Sequence, residues 1–251
     1  MTNKTSYQPG EPTWIDLGSP DTDASVEFYG GLFGWTATEG RPEFGGYRNF
    51  LKDGKTVAGL MPLMQEGQPP VWSSYVSTDD ADKTTALVSE NGGTVHAPPM
   101  EVGALGRMAI YTDPAGAFFG AWQPAEHKGA QVVDEEGTFT WTELSTRNQA
   151  SAKPFYAAVF GWQAKEMDGY TEFQLGDTSV AGCMDMPEMI PAEVPSFWMP
   201  YFAASDPEAQ AKRAAELGGS ISVPLMDFGG GRFAVVQDPN GATFGLLDLQ
   251  H

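Results

Sequence analysis

Hydrophobic and polar positions along the first half of the chain switch between two periods. Pro12-Thr13-Trp14-Ile15-Asp16-Leu17 is a short run of strand formers. Ser19-Pro20-Asp21-Thr22-Asp23 brings helix-start chemistry: a capping side chain, a proline near the first turn and carboxylates that meet the helix dipole. Val26, Phe28, Tyr29, Leu32 and Phe33 follow, the 29/32/33 spacing marks one helical stripe, and Gly34 supplies a left-handed stop. Strand patterning returns at 46–51 and 55–60, joined through the hairpin turn Asp53-Gly54. After a loop over 63–70 the order recurs: a strand at 71–76, a helix over 80–91 closed by Gly92-Gly93, and strands at 94–97 and 106–111. A last hairpin through Asp113-Pro114-Ala115-Gly116 leads into a strand at 117–122.

The second half repeats the first. Trp14, Phe28-Tyr29 and Phe33-Gly34-Trp35 recur at a constant offset as Trp141, Phe155-Tyr156 and Phe160-Gly161-Trp162. Tyr47 matches Tyr170, Val57-Ala58-Gly59 matches Val180-Ala181-Gly182, and Trp72 matches Trp198. Gly106-Arg107 matches Gly231-Arg232, Asp113-Pro114 matches Asp238-Pro239, and Phe119-Gly120 matches Phe244-Gly245. The repeat predicts two domains, 10–124 and 138–251, each of a size that buries its own core. Residues 125–137 hold several charges and almost no large apolar side chain, and read as an exposed linker.

Composition narrows the function classes. The 251 residues are 41% hydrophobic and 12% aromatic, as compact domains require. A formal charge of −19 argues against nucleic acid and anionic membrane as partners, since both need a basic face. The polar first ten residues and the lack of an apolar run near the ~20 residues of a span leave the cytoplasm as the expected location. Cys183 is the one cysteine and reads as a small buried hydrophobe. Gly229-Gly230-Gly231-Arg232 lacks the Lys-Ser/Thr of a phosphate loop, and no zinc spacing or Gly-x-Ser-x-Gly elbow is present.

The strand followed by Ser-Pro-Asp, the helix with Phe28-Tyr29 and Phe33-Gly34-Trp35, and the closing Asp113-Pro114-Ala115-Gly116 hairpin resemble the vicinal oxygen chelate superfamily of glyoxalase I, bleomycin-resistance proteins and extradiol dioxygenases. The resemblance covers nearly the whole chain, and is narrowest to tandem two-domain glyoxalase-like proteins of actinobacteria. It implies an α+β fold in which four βαβββ units form two tandem domains with curled, cup-like mixed sheets. It also implies four metal-ligand positions per cup. These fall on Trp14, Gly59, Ser73 and Gly120, and on Trp141, Gly182, Met199 and Gly245. None is a good metal ligand, and His96, His127 and His251 do not recur between copies. No metal and no cofactor are therefore expected.

Glycine where a ligand would reach inward, with tryptophan as a flat wall, describes a cavity for a bulky planar molecule. Strand alternation places Asp16 on the face of Trp14, Glu143 on that of Trp141, Tyr75 on that of Ser73 and Tyr201 on that of Met199. Asp16 and Glu143 are candidate acids or bases with Tyr75 and Tyr201, because burial against indole raises a carboxyl pKa. The alternative is a structural carboxylate bonded to backbone or to Arg107 and Arg232. Trp72, Trp198, Arg48, Arg107 and Arg232 complete the candidate lining. Met61, Met64, Met184, Met186 and Met189 suit an adaptable pocket mouth or ordinary core. Three functions follow: metal-independent binding of a bulky, aromatic small molecule, as in bleomycin resistance; a metal-free isomerase, cyclase, hydrolase or hydroxylase of secondary metabolism; or metal chemistry through misplaced ligands such as Asp16, Glu143 or Glu172. A small organic ligand is the expected partner, the protein being a monomer or homodimer, with one cup active and the other a scaffold.

Overall fold

The computed structural model describes residues 4–63, 65, 67–167, 169–187 and 190–249. The first half runs β1 (Pro12–Ser19), α1 (Thr22–Phe33), β2 (Thr36–Ala37), β3 (Arg48–Lys52), β4 (Lys55–Pro62), β5 (Val71–Ser77), α2 (Ala81–Glu90), β6 (Thr94–Glu101), β7 (Gly106–Thr112) and β8 (Phe118–Pro124). The second half repeats this as β9 (Phe139–Thr146), α3 (Gln149–Phe160), β10 (Gln163–Met167), β11 (Tyr170–Leu175), β12 (Thr178–Asp185), β13 (Phe197–Ala203), α4 (Pro207–Glu216), β14 (Ser220–Phe228), β15 (Gly231–Gln237) and β16 (Thr243–Leu249). Helix caps sit where the local chemistry puts them. Asp21 accepts from the Ala24 amide at 3.0 Å, Asn148 does the same for Ser151 at 3.1 Å, and Gly34 and Gly161 end α1 and α3 at positive φ.

Each half forms one eight-stranded mixed sheet, in the orders β2-β3-β4-β1-β5-β8-β7-β6 and β10-β11-β12-β9-β13-β16-β15-β14. Two βαβββ units meet at the antiparallel β1–β5 and β9–β13 pairs, and each sheet curls without closing. The fold is α+β with two tandem vicinal-oxygen-chelate domains. No helix among the described residues is long and apolar enough to cross a membrane.

The cores differ from the expectation that each half buries its own. The helices lie between the two sheets, so each core is shared. Phe33 of α1 packs on Phe202 of β13, and Tyr29 packs on both Trp72 of β5 and Phe244 of β16. The same cluster takes in Ala211 and Ala214 of α4. A second cluster joins Val88 of α2, Tyr111 and Phe119 to Phe155, Tyr156 and Phe160 of α3. Each large side chain buried this way contributes roughly 1.5–3 kcal/mol, and both clusters draw their side chains from the two halves together. Cys183 is fully buried in the second cluster, where burial pushes its thiol up to about 12.

The segment 125–137 also departs from the expected exposed linker. Gly129, Ala130, Val132, Val133 and Gly137 are buried. Composition concealed this because the burial is carried by small residues and by backbone bonds: Ala130 N–H donates to Thr13, Gln131 N–H to Thr56, and Gly137 N–H to Ala203.

Candidate functional site

The concave face of each sheet is built from the central strands in register. In the first cup Asp16 stands beside Gly59 on β4 and Ser73 on β5, while Trp14 stands beside Tyr75, which in turn neighbours Gly120 on β8. In the second cup Glu143 stands beside Gly182 and Met199, while Tyr201 stands between Trp141 and Gly245. Alternation therefore brings Trp14, Asp16, Ser73 and Tyr75 together, and likewise Trp141, Glu143, Met199 and Tyr201.

The glycines do not open space for a ligand. A Cβ on Gly59 would overlap the Tyr47 hydroxyl, and one on Gly120 would overlap the Tyr75 ring. Gly182 stands in the same relation to Tyr170, and Gly245 to Tyr201. The glycines are the floor on which two phenols per cup lie. Tyr47 and Tyr170 were not among the candidate site residues, although both belong to the repeat.

Together these residues form one polar cluster, made twice. Trp14 Nε1 donates to the Tyr47 hydroxyl at 2.9 Å, and Tyr47 donates to Asp16 Oδ2 at 3.4 Å. The Tyr75 hydroxyl also bonds the Asp16 carboxyl. In the second cup Trp141 Nε1 donates to Tyr170 at 3.1 Å, Tyr201 donates to Glu143 Oε1 at 3.0 Å, and Tyr170 bonds the same carboxyl. Desolvation raises Asp16 to about 7 against the opposing tyrosine hydrogen bonds. Glu143 is raised by the same dominant cause, burial, and opposed by Tyr201 and Tyr170. All four phenols are held above their usual range, by burial first and the adjacent carboxyl second. Each cup thus presents one buried carboxyl whose pKa is raised, Asp16 to about 7, with two phenols that stay protonated. This is an acceptor, donor and proton-relay set.

That donor set does not fit a divalent metal. Each cup offers one carboxyl and two neutral phenols, and the positions expected from the family resemblance to hold ligands carry Trp, Gly, Ser or Met, and Gly. Among the described residues no three His, Cys, Asp or Glu side chains are grouped to hold an ion. Glu172 is paired with Lys165 at 3.1 Å, and His96 meets Thr112 and Phe118 rather than either cup cluster.

Several expected lining residues lie on the other face. Trp72 and Trp198 are one residue out of phase with Ser73 and Met199 and point into the shared cores. There they donate to Tyr29 at 2.9 Å and to Tyr156 at 2.8 Å. Arg48 pairs with Asp23 at 2.7 Å, Arg107 with Asp82 at 2.7 Å and Glu101 at 3.1 Å, and Arg232 with Asp248 at 2.6 Å. None of the three neutralises Asp16 or Glu143. Met61 and Met184 lie on β4 and β12 and Met186 is buried, while Met64, Met189 and His251 lie outside the described residues.

Two tandem curled βαβββ pairs, each with a polar cluster on its concave floor, define a two-domain glyoxalase-fold protein. Residues 12–121 and 138–246 both match the Glyoxalase/Bleomycin resistance protein/Dioxygenase superfamily, and the chain belongs to it. It is 40% identical to the anthracycline biosynthesis protein DnrV of Streptomyces peucetius, over 98% of this chain and 96% of that one. It is 39% identical to the putative glyoxylase CFP32 of Mycobacterium tuberculosis, over 98% of both. Among solved structures, the fold matches a Mn(II)-bound glyoxalase from Novosphingobium aromaticivorans with TM-score 0.69 and 17% identity, over 96% of this chain and 82% of that one. It matches the 2,3-dioxygenase LapB from Pseudomonas sp. KL28 with TM-score 0.67 and 13% identity, over 96% and 93%.

Proposed function

We propose that the protein binds a bulky, planar aromatic small molecule on the concave face of a cup, without a metal ion. The carrying observation is that Tyr47 and Tyr75, or Tyr170 and Tyr201, lie over the glycines of the concave floor beside a single buried carboxyl. An apolar face with one hydrogen-bonding cluster at its floor suits a ring system that bears a phenol or quinone oxygen. The 40% identity to an anthracycline biosynthesis protein supports a polycyclic aromatic ligand of secondary metabolism. The test is titration with 1,8-dihydroxyanthraquinone, followed by tryptophan quenching, before and after exhaustive chelation. Equal affinity in both supports the reading. A stoichiometric divalent ion in the purified protein, with binding lost on chelation, overturns it.

A second reading, metal-free proton transfer on such a ligand, is favoured by the buried carboxyl in each cup, Asp16 and Glu143, whose pKa desolvation raises. A carboxyl raised by burial exchanges its proton closer to neutral pH than a solvated one, and the flanking phenols stabilise an enolate or phenolate by hydrogen bonding. Recovery of the ligand unchanged after prolonged incubation separates sequestration from catalysis. If a turned-over substrate is found and Asp16→Asn and Glu143→Gln both leave its rate intact, the carboxyls are not the proton carriers.

A further inference from the structure

The two cups share a floor but not a mouth. In the first, the segment after β8 folds back over the concave face. Its amides at Ala125, Glu126 and His127 donate to the carbonyls of Leu105, Ala104 and Leu105, on the β6–β7 connection. The far side is tied down by Ala130 N–H to Thr13, Thr13 Oγ1 to the Lys128 carbonyl at 3.2 Å, and Tyr7 to the Ala130 carbonyl at 2.7 Å. Between these ties the His127 imidazole stands edge-on to Trp14, ring centroids 4.5 Å apart, and beside Trp122 at 5.4 Å. Trp122 shares the concave face with Gly120, and its Nε1 holds the His127 carbonyl at 2.8 Å. Trp14 is left only 5% exposed. Desolvation lowers His127 to about 4, so it sits there as a neutral flat ring.

The second cup has the same tryptophan and a different rim. Trp141 stays partly exposed, and among the described residues no aromatic ring stands against it as His127 stands against Trp14. Phe228, 44% exposed, meets Phe233 at 6.1 Å, and Phe233 meets Tyr201 at 6.3 Å. The aromatic surface thus steps from rim to floor. Met226, 47% exposed, lies opposite Phe233 on the neighbouring strand. Gly229-Gly230 stands where Ala104-Leu105 grips the strap of the first cup, and a Cβ on Gly229 would meet nothing.

We propose that the first cup is occupied by the chain's own His127 strap, and that the second cup is the ligand site, taking a planar aromatic ring against Trp141 as Trp14 takes the imidazole. The inference rests on the metal-free binding reading for the ligand but on the strap alone for the asymmetry. The chain itself displays the occupant chemistry: a flat, uncharged ring set against the indole above a carboxyl–tyrosine cluster.

The experiment has two arms. In the first, 5-fluorotryptophan is incorporated and each resonance is assigned by substitution. The Trp141 signal should shift with solvent isotope and the Trp14 signal should not, until His127→Gly uncovers it. Equal response of Trp14 and Trp141 in the unaltered protein overturns the asymmetry. In the second arm, calorimetric titration with 1,8-dihydroxyanthraquinone should give one equivalent bound, weakened at least tenfold by Trp141→Ala and less than twofold by Trp14→Ala. His127→Gly should raise the stoichiometry to two. Two equivalents in the unaltered protein, or loss through Trp14→Ala alone, overturns the assignment of the second cup. Absence of binding to every variant, with the first arm as expected, overturns the aromatic-ligand reading and leaves the strap in place.

Discussion

The Tyr29 hydroxyl, in the first half of the chain, donates to the Asp238 carboxylate in the last turn of the second at 3.2 Å. Tyr156 returns the bond to Asp113 of the first half at 3.1 Å. Each aspartate also caps its own turn, Asp113 accepting from Ala115 and Ala117 and Asp238 from Asn240 and Ala242. Trp35 donates to the Gly137 carbonyl and Trp162 to that of Gly10, again across the halves. The most conspicuous repeated motifs, Phe-Tyr with Phe-Gly-Trp and the Asp-Pro turn, are thus the fastening between domains and not the site.

Tyr29→Phe leaves the buried Trp72 indole N–H without its acceptor and removes a donor from Asp238. The expected cost is about 1–3 kcal/mol in urea unfolding. Tyr156→Phe should match it through Trp198 and Asp113. A loss below 0.5 kcal/mol (roughly the scatter of an ordinary surface substitution) for both would show that the bonds are replaced by water.

Because both cores are shared, neither half should fold alone. Residues 1–124 and 125–251 expressed separately are expected to lack a cooperative thermal transition, since Phe28, Phe33, Phe202 and Phe244 lose their partners. Co-expressed, they should co-purify as one folded complex. A sharp transition in either fragment as a monomer contradicts the shared-core account.

Gly120→Ala drives a methyl into the Tyr75 ring and should destabilise by about 1–3 kcal/mol through overpacking. Tyr75→Ala removes the obstacle, so Gly120→Ala in that background should cost markedly less. The coupling measured by the double-mutant cycle is the readout. Additive effects would mean that the glycine serves backbone geometry and not the tyrosine.

Much of this was legible in the chain. Asp16 and Tyr75 follow from counting in twos from Trp14 and Ser73, and the stop at Gly34 from local chemistry, while the helix-start segment 19–23 was legible without showing that Asp21 is its capping residue. The same counting excludes Trp72 and Arg48, each adjacent to an inward residue, and a strand cannot turn two neighbours to one face. Tyr47 falls inside the strand expected at 46–51, but the ladder starts only at Arg48 and Tyr47 precedes it in an isolated bridge to Arg41, so its reach to Asp16 does not follow from strand counting. β10 was invisible because all five of its residues are exposed and carry no apolar pattern. The shared cores and the His127 strap depend on contacts between remote segments, which periodicity does not encode.

The Asp16 carboxyl sets the sign of a pH dependence. Its folded-state pKa, about 7, lies above the unfolded value near 3.9. Below pH ~4 both states are protonated and burial of the neutral acid costs no ionisation energy. As pH rises toward 7 the unfolded chain ionises and the folded one resists, so stability is lost across that window and levels off above it. The whole effect is at most on the order of 4 kcal/mol by linkage. Asp113, Asp238 and Glu143 are raised as well and push in the same direction. The informative quantity is therefore the stability of the unaltered protein minus that of Asp16→Asn, from urea unfolding at pH 5, 6, 7 and 8. This difference should fall steadily between pH 5 and 7 and flatten toward 8, because asparagine keeps the shape of the site and has no proton to lose. A difference independent of pH would mean that Asp16 ionises normally, held by Tyr47 and Tyr75, and would remove the basis for treating it as an acid near neutrality.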